Sequence, residues 1–227
     1  MIRGVCVALL IGGVVAGGAA LADDPVSDGI MSAGQLSDDD FFRLASCGAP
    51  PGGACRGPIL TWGKRELQLT LVAGRDPAPM GFEARLIAAI DHALPQINGA
   101  AAGIRITRTN RPFADIKVIA TALPEGSAMV EAPGFSGPGV MGVGYMTVWS
   151  DDADRITEAV ILISTTITDE DLTSVMLEEI TQSLGILYDI ENPWYEGVSI
   201  LSQTSNATTT IDGQDAALLR WLYPPQP

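Results

Sequence analysis

Histidine is almost absent from this sequence, which has one, His92, in 227 residues. A zinc centre built on several imidazoles, as in many hydrolases, cannot be assembled from this chain. Basic residues are also scarce, with 13 Lys and Arg against 27 Asp and Glu and a formal net charge of −14. Such a surface repels phosphate backbones and anionic lipid heads, so we expect neither nucleic acid nor a membrane surface as a partner.

Long apolar runs are missing after residue 22, so we expect no later segment to cross a bilayer. The first 22 residues have the order of a secretory signal peptide, with Arg3, then the apolar stretch 5–15, then Ala20-Leu21-Ala22. We predict cleavage after Ala22 and a periplasmic or secreted protein that has no membrane contact after cleavage. The alternative is an uncleaved anchor, which the glycines and the shortness of the stretch disfavour.

Cysteine is scarce as well, and only Cys47 and Cys55 follow the predicted signal peptide, in the sequence CGAPPGGAC. An even number of cysteines in an exported chain predicts a disulfide, and the intervening glycines and prolines permit a tight loop. A thiolate metal site is the alternative. It is disfavoured because no histidine lies nearby in the sequence.

The remaining composition, 47% hydrophobic and 18% charged, is typical of a packed globular domain. Apolar periodicity predicts an α+β fold, a mixed twisted sheet with two main helices packed on one side and a C-terminal helix. The predicted strands are 67–72, 104–107, 115–120 and 156–165, and the predicted helices are 82–97, 171–185 and 212–222. Glycine and proline in residues 124–144 predict a long loop or a hairpin.

The N-terminal part is predicted to be separate from this domain. Residues 23–36 are small and polar and are expected to form a loose tail. Ser37 followed by three aspartates predicts a short helix that leads into the disulfide loop. We therefore divide the chain into a signal peptide 1–22, an N-terminal segment 23–58 and a domain 59–227.

One segment carries a recognisable motif. Residues 175–189, VMLEEITQSLGILYD, resemble the zinc-binding helix of the zincin metallopeptidases, especially the matrixin-like group, written H-E-x-x-H-x-x-G-x-x-[HD]. Glu178 and Gln182 stand at the positions of the first two histidines, and Glu179 stands at the position of the general base. Gly185 holds the glycine at which the chain turns away.

The resemblance continues after this helix. Tyr188 falls at the spacing of the third zinc ligand, and Asp189 lies one residue beyond. Ser199, Ile200 and Leu201 follow at the distance of the Met-turn, with Leu201 where methionine would stand. The closing sequence TTIDGQDAALLRWLY resembles the C-terminal helix of the same enzymes.

The preceding strand, 156–165, is expected to be the sheet edge that binds extended substrate in those enzymes. A closer resemblance is to a bacterial family of exported proteins of unknown function, domain-of-unknown-function family 2927. Its members carry an EExxQxLG helix and a closing LLRxLY segment, as this chain does. Membership implies a zincin-like fold and no established activity.

The residue types at the motif argue against zinc chemistry. Glu178 and Gln182 are one helical turn apart and share a face, but a neutral amide is a poor zinc ligand. Without a metal to lower the pKa of water, Glu179 has no activated nucleophile. We therefore predict no metal, no cofactor and no confidently assigned catalytic residue.

Three roles remain open for this motif. Glu178 and Gln182 can share a hydrogen bond and serve only the structure. The sheet edge can bind an extended peptide or a protein partner by strand addition. The alternative is a zinc-independent hydrolase on the 171–185 helix, with a Glu179–Gln182 dyad or a hard cation held by Glu178, Glu179 and Asp189. We predict a non-catalytic pseudo-metallopeptidase, either structural or peptide-binding.

Overall fold

A computed structural model of the chain describes residues 3–5, 29–75, 77–129 and 139–225. The strands are β1 Arg3–Val5, β2 Ile30–Met31, β3 Thr61–Trp62, β4 Glu66–Val72, β5 Arg105–Arg108, β6 Ile116–Thr121, β7 Ala128–Met129, β8 Gly139–Val140, β9 Gly144–Ser150, β10 Arg155–Ser164 and β11 Ile190–Glu191. The helices are α1 Asp38–Cys47, α2 Phe82–Gly99, α3 Asp169–Gln182 and α4 Gly213–Leu222, and a 3-10 helix spans Pro193–Tyr195.

One mixed sheet organises the molecule, with strand order β1-β9-β10-β6-β4-β5 and with β3 pairing alongside β10. β5, β4, β6 and β10 run parallel, while β9 is antiparallel to β10. One face of the sheet joins α2, α3 and α4 in a single apolar core. The predicted α+β class is confirmed at this level.

Alternation along the strands separates the two faces of the sheet. On β10, Ile161 and Ile163 point into the core under the helices, while Val160 and Leu162 belong to a smaller cluster on the other face. Met141, which follows β8, packs into that smaller cluster. The described ends of the predicted 124–144 loop pair as the antiparallel strands β7 and β8, next to this smaller cluster.

The predicted position of strand 156–165 at the sheet edge is wrong. β10 lies inside the sheet, parallel to β6 on one side and antiparallel to β9 on the other. Its residues 159–163 are all buried, as expected for an inner strand covered on both faces. β9 lies outside β10, and β1 pairs with its far side at residues 148–150.

The predicted loose tail is also wrong where the structure describes it. β2 pairs in parallel with β11, and Ile30 is 1% exposed. Leu36 is buried, and its N–H donates to the hydroxyl of Tyr195 at 2.9 Å. Apolar side chains at both ends of a polar stretch hold residues 30–36 against the domain, so the loose tail cannot include them.

The predictions for the next segment are confirmed. Ser37 caps α1, since its hydroxyl accepts a hydrogen bond from the N–H of Asp40 at 3.2 Å. Cys47 and Cys55 form the predicted disulfide, with their Cα atoms 5.1 Å apart. The predicted signal peptide lies outside the described residues, except for the three residues of β1. Among the described helices, none has the length and apolarity needed to cross a membrane.

Candidate functional site

Helix α3 carries the predicted site, and its two ends are fixed by local chemistry. Thr168 caps the start, with its hydroxyl accepting from the N–H of Asp171 at 3.1 Å, and acids occupy the first turn. The helix ends at Gln182, and the chain turns away at Gly185, where φ is +101°. A Cβ at this position would lie 2.1 Å from the carbonyl oxygen of Leu60, so only glycine fits.

The carbonyls of the two residues after α3 accept hydrogen bonds from residues that are distant in the sequence. The indole of Trp62 donates to the carbonyl of Ser183 at 2.9 Å, and the hydroxyl of Tyr223 donates to the carbonyl of Leu184 at 2.5 Å. The N–H of Trp62 in turn donates to the Tyr223 oxygen at 3.0 Å. Burial strongly raises the pKa of Tyr223, so its hydroxyl stays a donor. The closing leucine-tyrosine of the sequence therefore anchors α3.

One face of α3 is apolar, and the other carries the polar side chains of the motif. Met176 and Ile180 are fully buried in the main core. Glu178 is half-buried, whereas Glu179 and Gln182 are each 7% exposed. Two polar side chains of the motif are therefore largely removed from water, and burial of this kind requires hydrogen-bonding partners.

The buried amide of Gln182 has such a partner in Asp189. Its Nε2 donates to Oδ1 of Asp189 at 2.6 Å, and Asp189 is 6% exposed. A hydrogen bond from an amide to a buried carboxylate is among the stronger kinds. The backbone carbonyl of Asp189 also accepts from the N–H of Ile30 at 2.8 Å, so the N-terminal segment holds the same residue. The structure thus joins Gln182, at the spacing of the second zinc ligand, to Asp189, which lies one residue after the spacing of the third.

Tyr188, at the third-ligand spacing, faces elsewhere. A Cβ at Gly48 would lie 2.7 Å from its ring, so the ring packs on the backbone of the disulfide loop. Burial raises the pKa of Tyr188. Asp189 faces Gln182, while the neighbouring Tyr188 faces the disulfide loop. The motif spacing alone does not determine which of the two turns toward the helix.

Glu179 lies beneath the start of β9. A Cβ at Gly144 would be 2.4 Å from Oε1 of Glu179 and 2.6 Å from Cγ1 of Val175. The missing side chain of Gly144 therefore makes room for the carboxylate. This contact places the general-base position of the motif directly against the outer strand of the sheet.

Asp215, which was not among the predicted site residues, holds the turn at Ser199, Ile200 and Leu201 that was predicted to correspond to a Met-turn. Oγ of Ser199 donates to Oδ1 of Asp215 at 2.6 Å, and the N–H of Ile200 donates to Oδ2 at 3.0 Å. The N–H of Leu201 donates to Oγ of Ser199 at 3.1 Å. Burial raises the pKa of Asp215 to about 6, against the lowering effect of these two bonds.

Little in the sequence indicated that Asp215 is buried and holds a turn. An acid in the first turn of a helix is normally a solvent-exposed complement to the helix dipole, and α4 begins at Gly213. Asp215 is instead 3% exposed. Its role depends on a turn 15 residues earlier, which periodicity along α4 does not reveal.

The single histidine lies apart from these groups. His92 is half-buried on α2, and its Nε2 is 2.8 Å from the carbonyl oxygen of Thr209. Across residues 3–5, 29–75, 77–129 and 139–225, no three His, Cys, Asp or Glu side chains are arranged to hold a metal ion. The polar chemistry of α3 is carried by Gln182, Asp189 and the two glutamates.

These features define an α+β protein whose α3 helix ends in a buried amide–carboxylate pair beside the outer strand of a mixed sheet. The chain belongs to the family described as "Protein of unknown function (DUF2927)", which matches residues 88–226. The match includes α3, β9, β10, the Ser199 turn and α4. No curated protein matches the chain.

Proposed function

We propose that this chain is an exported, non-catalytic domain of zincin-like fold that binds an extended peptide or a protein partner. The observation that carries the proposal is the hydrogen bond between Gln182 and Asp189. In the resembling enzymes this region holds zinc, and here a buried amide and a carboxylate bind each other across it. The order of strands and helices, with α3 following β10 and lying under β9, supports the zincin-like assignment.

The residues present do not fit a catalytic zinc ion. Such sites use three protein ligands, most often histidines, and leave a fourth position for water. Gln182 offers a neutral amide that already donates to Asp189, and the Tyr188 ring packs on Gly48. Glu179 would therefore lack a metal-bound water to deprotonate. A structural or binding role agrees better with this arrangement than hydrolysis does.

The outer edge of β9 supports peptide binding. β1 pairs with it antiparallel, Gly4 opposite Trp149, so this edge accepts an added strand. Loss of the predicted signal peptide would leave the backbone groups at 148–150 available to another strand. Residues 144–150, GYMTVWS, contain no charge and no proline, the features that usually block such pairing.

The absence of catalysis is tested with the mature chain, residues 23–227. We expect purified protein to contain no stoichiometric zinc by elemental mass spectrometry and to leave a panel of fluorogenic peptides intact. Glu179→Gln should change neither result. Peptide hydrolysis that disappears in this variant would instead establish the zinc-independent hydrolase.

Peptide binding is tested by hydrogen exchange at the two sheet edges. The probe is a synthetic peptide of residues 1–8 carrying Cys6→Ser, added to the mature chain. We expect slower exchange at amides of β9, and no change at β5, the opposite edge and the matched control. Equal protection of both edges, or protection of neither, would rule out β9 as the binding site.

A further inference from the structure

The disulfide loop contacts the residue next to Asp189. The ring of Tyr188 packs on Gly48, which follows Cys47, and its hydroxyl lies 3.8 Å from a Cβ position at Gly57, just beyond Cys55. The loop from Cys47 to Gly57 therefore covers a tyrosine that is 5% exposed. The same tyrosine is one residue from the carboxylate that holds Gln182.

Backbone hydrogen bonds fasten the same segment to α1. The N–H groups of Leu187 and Tyr188 both donate to the carbonyl of Ala45, at 2.9 and 3.1 Å. The carbonyl of Cys47 accepts from the N–H of Arg56 at 2.8 Å, which folds the loop back toward the helix. Residues 187–188 thus lie between the end of α1 and the loop that the disulfide closes.

We infer that the Cys47–Cys55 disulfide is a redox-sensitive clamp that keeps Tyr188, and through it Asp189, in place at the end of α3. The cross-link limits how far residues 48–54 can move, since the cysteines on either side of them are bonded. With the bond intact, Tyr188 stays covered and Asp189 stays turned toward Gln182. With it reduced, the loop is free to lift from the tyrosine ring.

The bond can be reached from solvent on one side. Cys55 is exposed, whereas Cys47 is fully buried. A dithiol reductant attacks the Cys55 sulfur as a thiolate, the S–S bond breaks, and the Cys47 thiolate leaves and takes up a proton. The second thiol of the reductant, deprotonated, then displaces Cys55, so the reductant becomes a disulfide and the protein gains two thiols.

This inference goes beyond the proposed function, because it concerns how the segment is held and its test needs no ligand. In the mature chain, NMR hydrogen exchange is measured at the amides of Leu187, Tyr188 and Ile190, before and after reduction by dithiothreitol. We expect exchange there to quicken by about tenfold or more, because the clamp no longer resists local opening. Amides of β4 and β6 should be unchanged.

Variants separate the clamp from a general loss of stability. Cys47→Ser with Cys55→Ser should exchange like the reduced protein whether or not dithiothreitol is present. Tyr188→Ala should exchange rapidly at Leu187 and Ile190 while still oxidised, and reduction should add little. Tyr188→Phe keeps the ring that covers Gly48 and should behave as the wild type does.

Two results would overturn the inference. The first is unchanged exchange at Leu187, Tyr188 and Ile190 after reduction, which would show that the loop does not hold the segment. The second is faster exchange spread equally over β4, β6 and residues 187–190. That pattern would make the disulfide a support of the whole fold and not a clamp on this segment.

Discussion

At the scale of single residues, the end of α3 depends on one buried pair. Gln182 and Asp189 are seven positions apart, and their side chains meet at 2.6 Å. The sequence predicted that Gln182 shares one face of the helix with Glu178, because helix geometry fixes that direction. It did not predict Asp189 as the partner, because the chain between Gly185 and β11 has no periodicity from which a direction can be derived.

Truncation of this pair should destabilise the protein. Gln182→Ala leaves the buried Asp189 carboxylate without its amide donor, so we expect a loss of about 2 kcal/mol in the free energy of unfolding. Asp189→Ala should lower the free energy of unfolding by a similar amount. The double variant should lose about 1 kcal/mol less than the sum of the two single losses. Urea unfolding at neutral pH measures all three.

The exposed Gln35 supplies the control for that series. Gln35→Ala should change the free energy of unfolding by no more than about 0.5 kcal/mol. Strict additivity of the Gln182 and Asp189 substitutions would show that the bond contributes nothing to stability.

Asp215 should make the stability of the protein depend on pH. Its pKa is about 6 in the folded protein against an ordinary value of 3.8. Between these values the folded state binds more protons than the unfolded state, so this residue makes stability fall as pH rises from about 4 to about 6. The difference of about two pKa units corresponds to about 3 kcal/mol.

Asp215→Asn isolates this contribution. The variant cannot titrate, while other nearby charges such as Asp212 remain. The free energy of unfolding of the wild type should therefore fall relative to that of the variant as the pH rises from 4 to 6. A difference that is constant over this range would mean that Asp215 does not titrate there.

At the scale of elements, the sequence predicted the features that depend on neighbouring residues, such as helix caps. The serine at 37 caps a helix, as its side chain and the three aspartates after it indicated. The order of strands in the sheet was not available from such signals. β10 was placed at the edge because it precedes α3, but pairing depends on contacts between distant segments, and β9 takes the outer position.

The turn after α3 gives an element-scale prediction. Gly185→Ala forces a side chain into a positive-φ residue and against the carbonyl of Leu60, so we expect a loss of about 3 kcal/mol or more, measured by urea unfolding. Gly99→Ala is the matched control, because a Cβ there meets no atom within 4 Å at the end of α2. A similar effect at both positions would contradict the role given to Gly185.

At the scale of the whole molecule, the described residues of the N-terminal segment pack against the domain. Ile30 and Leu36 are buried, and β2 extends β11 just after Asp189. The side-chain amide of Asn192 adds hydrogen bonds to the hydroxyl of Ser32 and the carbonyl of Gly34, at 3.0 and 2.8 Å. The sequence predicted a tail because two buried apolar residues in a polar stretch show no periodicity.

Removal of this segment should therefore weaken the fold. A chain that begins at Ser37 loses the burial of Ile30 and Leu36, together about 4 kcal/mol of transfer free energy, relative to residues 23–227. Urea unfolding of the two chains compares them. Equal midpoints would show that residues 23–36 are dispensable, as a loose tail would be.

We propose that α3 keeps the geometry of a zinc-binding helix while its residues cannot bind zinc. The direct measurement is zinc titration, by calorimetry and elemental analysis, of Glu178→His with Gln182→His. Two imidazoles one helical turn apart, with Asp189 beside the second, supply the three protein ligands that zinc requires. Asp189→Ala in the same background and a pair at Asp169→His with Thr173→His are the controls.

We expect one zinc ion per molecule of the Glu178→His, Gln182→His variant, weaker binding when Asp189 is also removed, and no stoichiometric zinc on the wild type. A wild-type protein that holds zinc, or a folded double-histidine variant that binds none, would contradict this proposal.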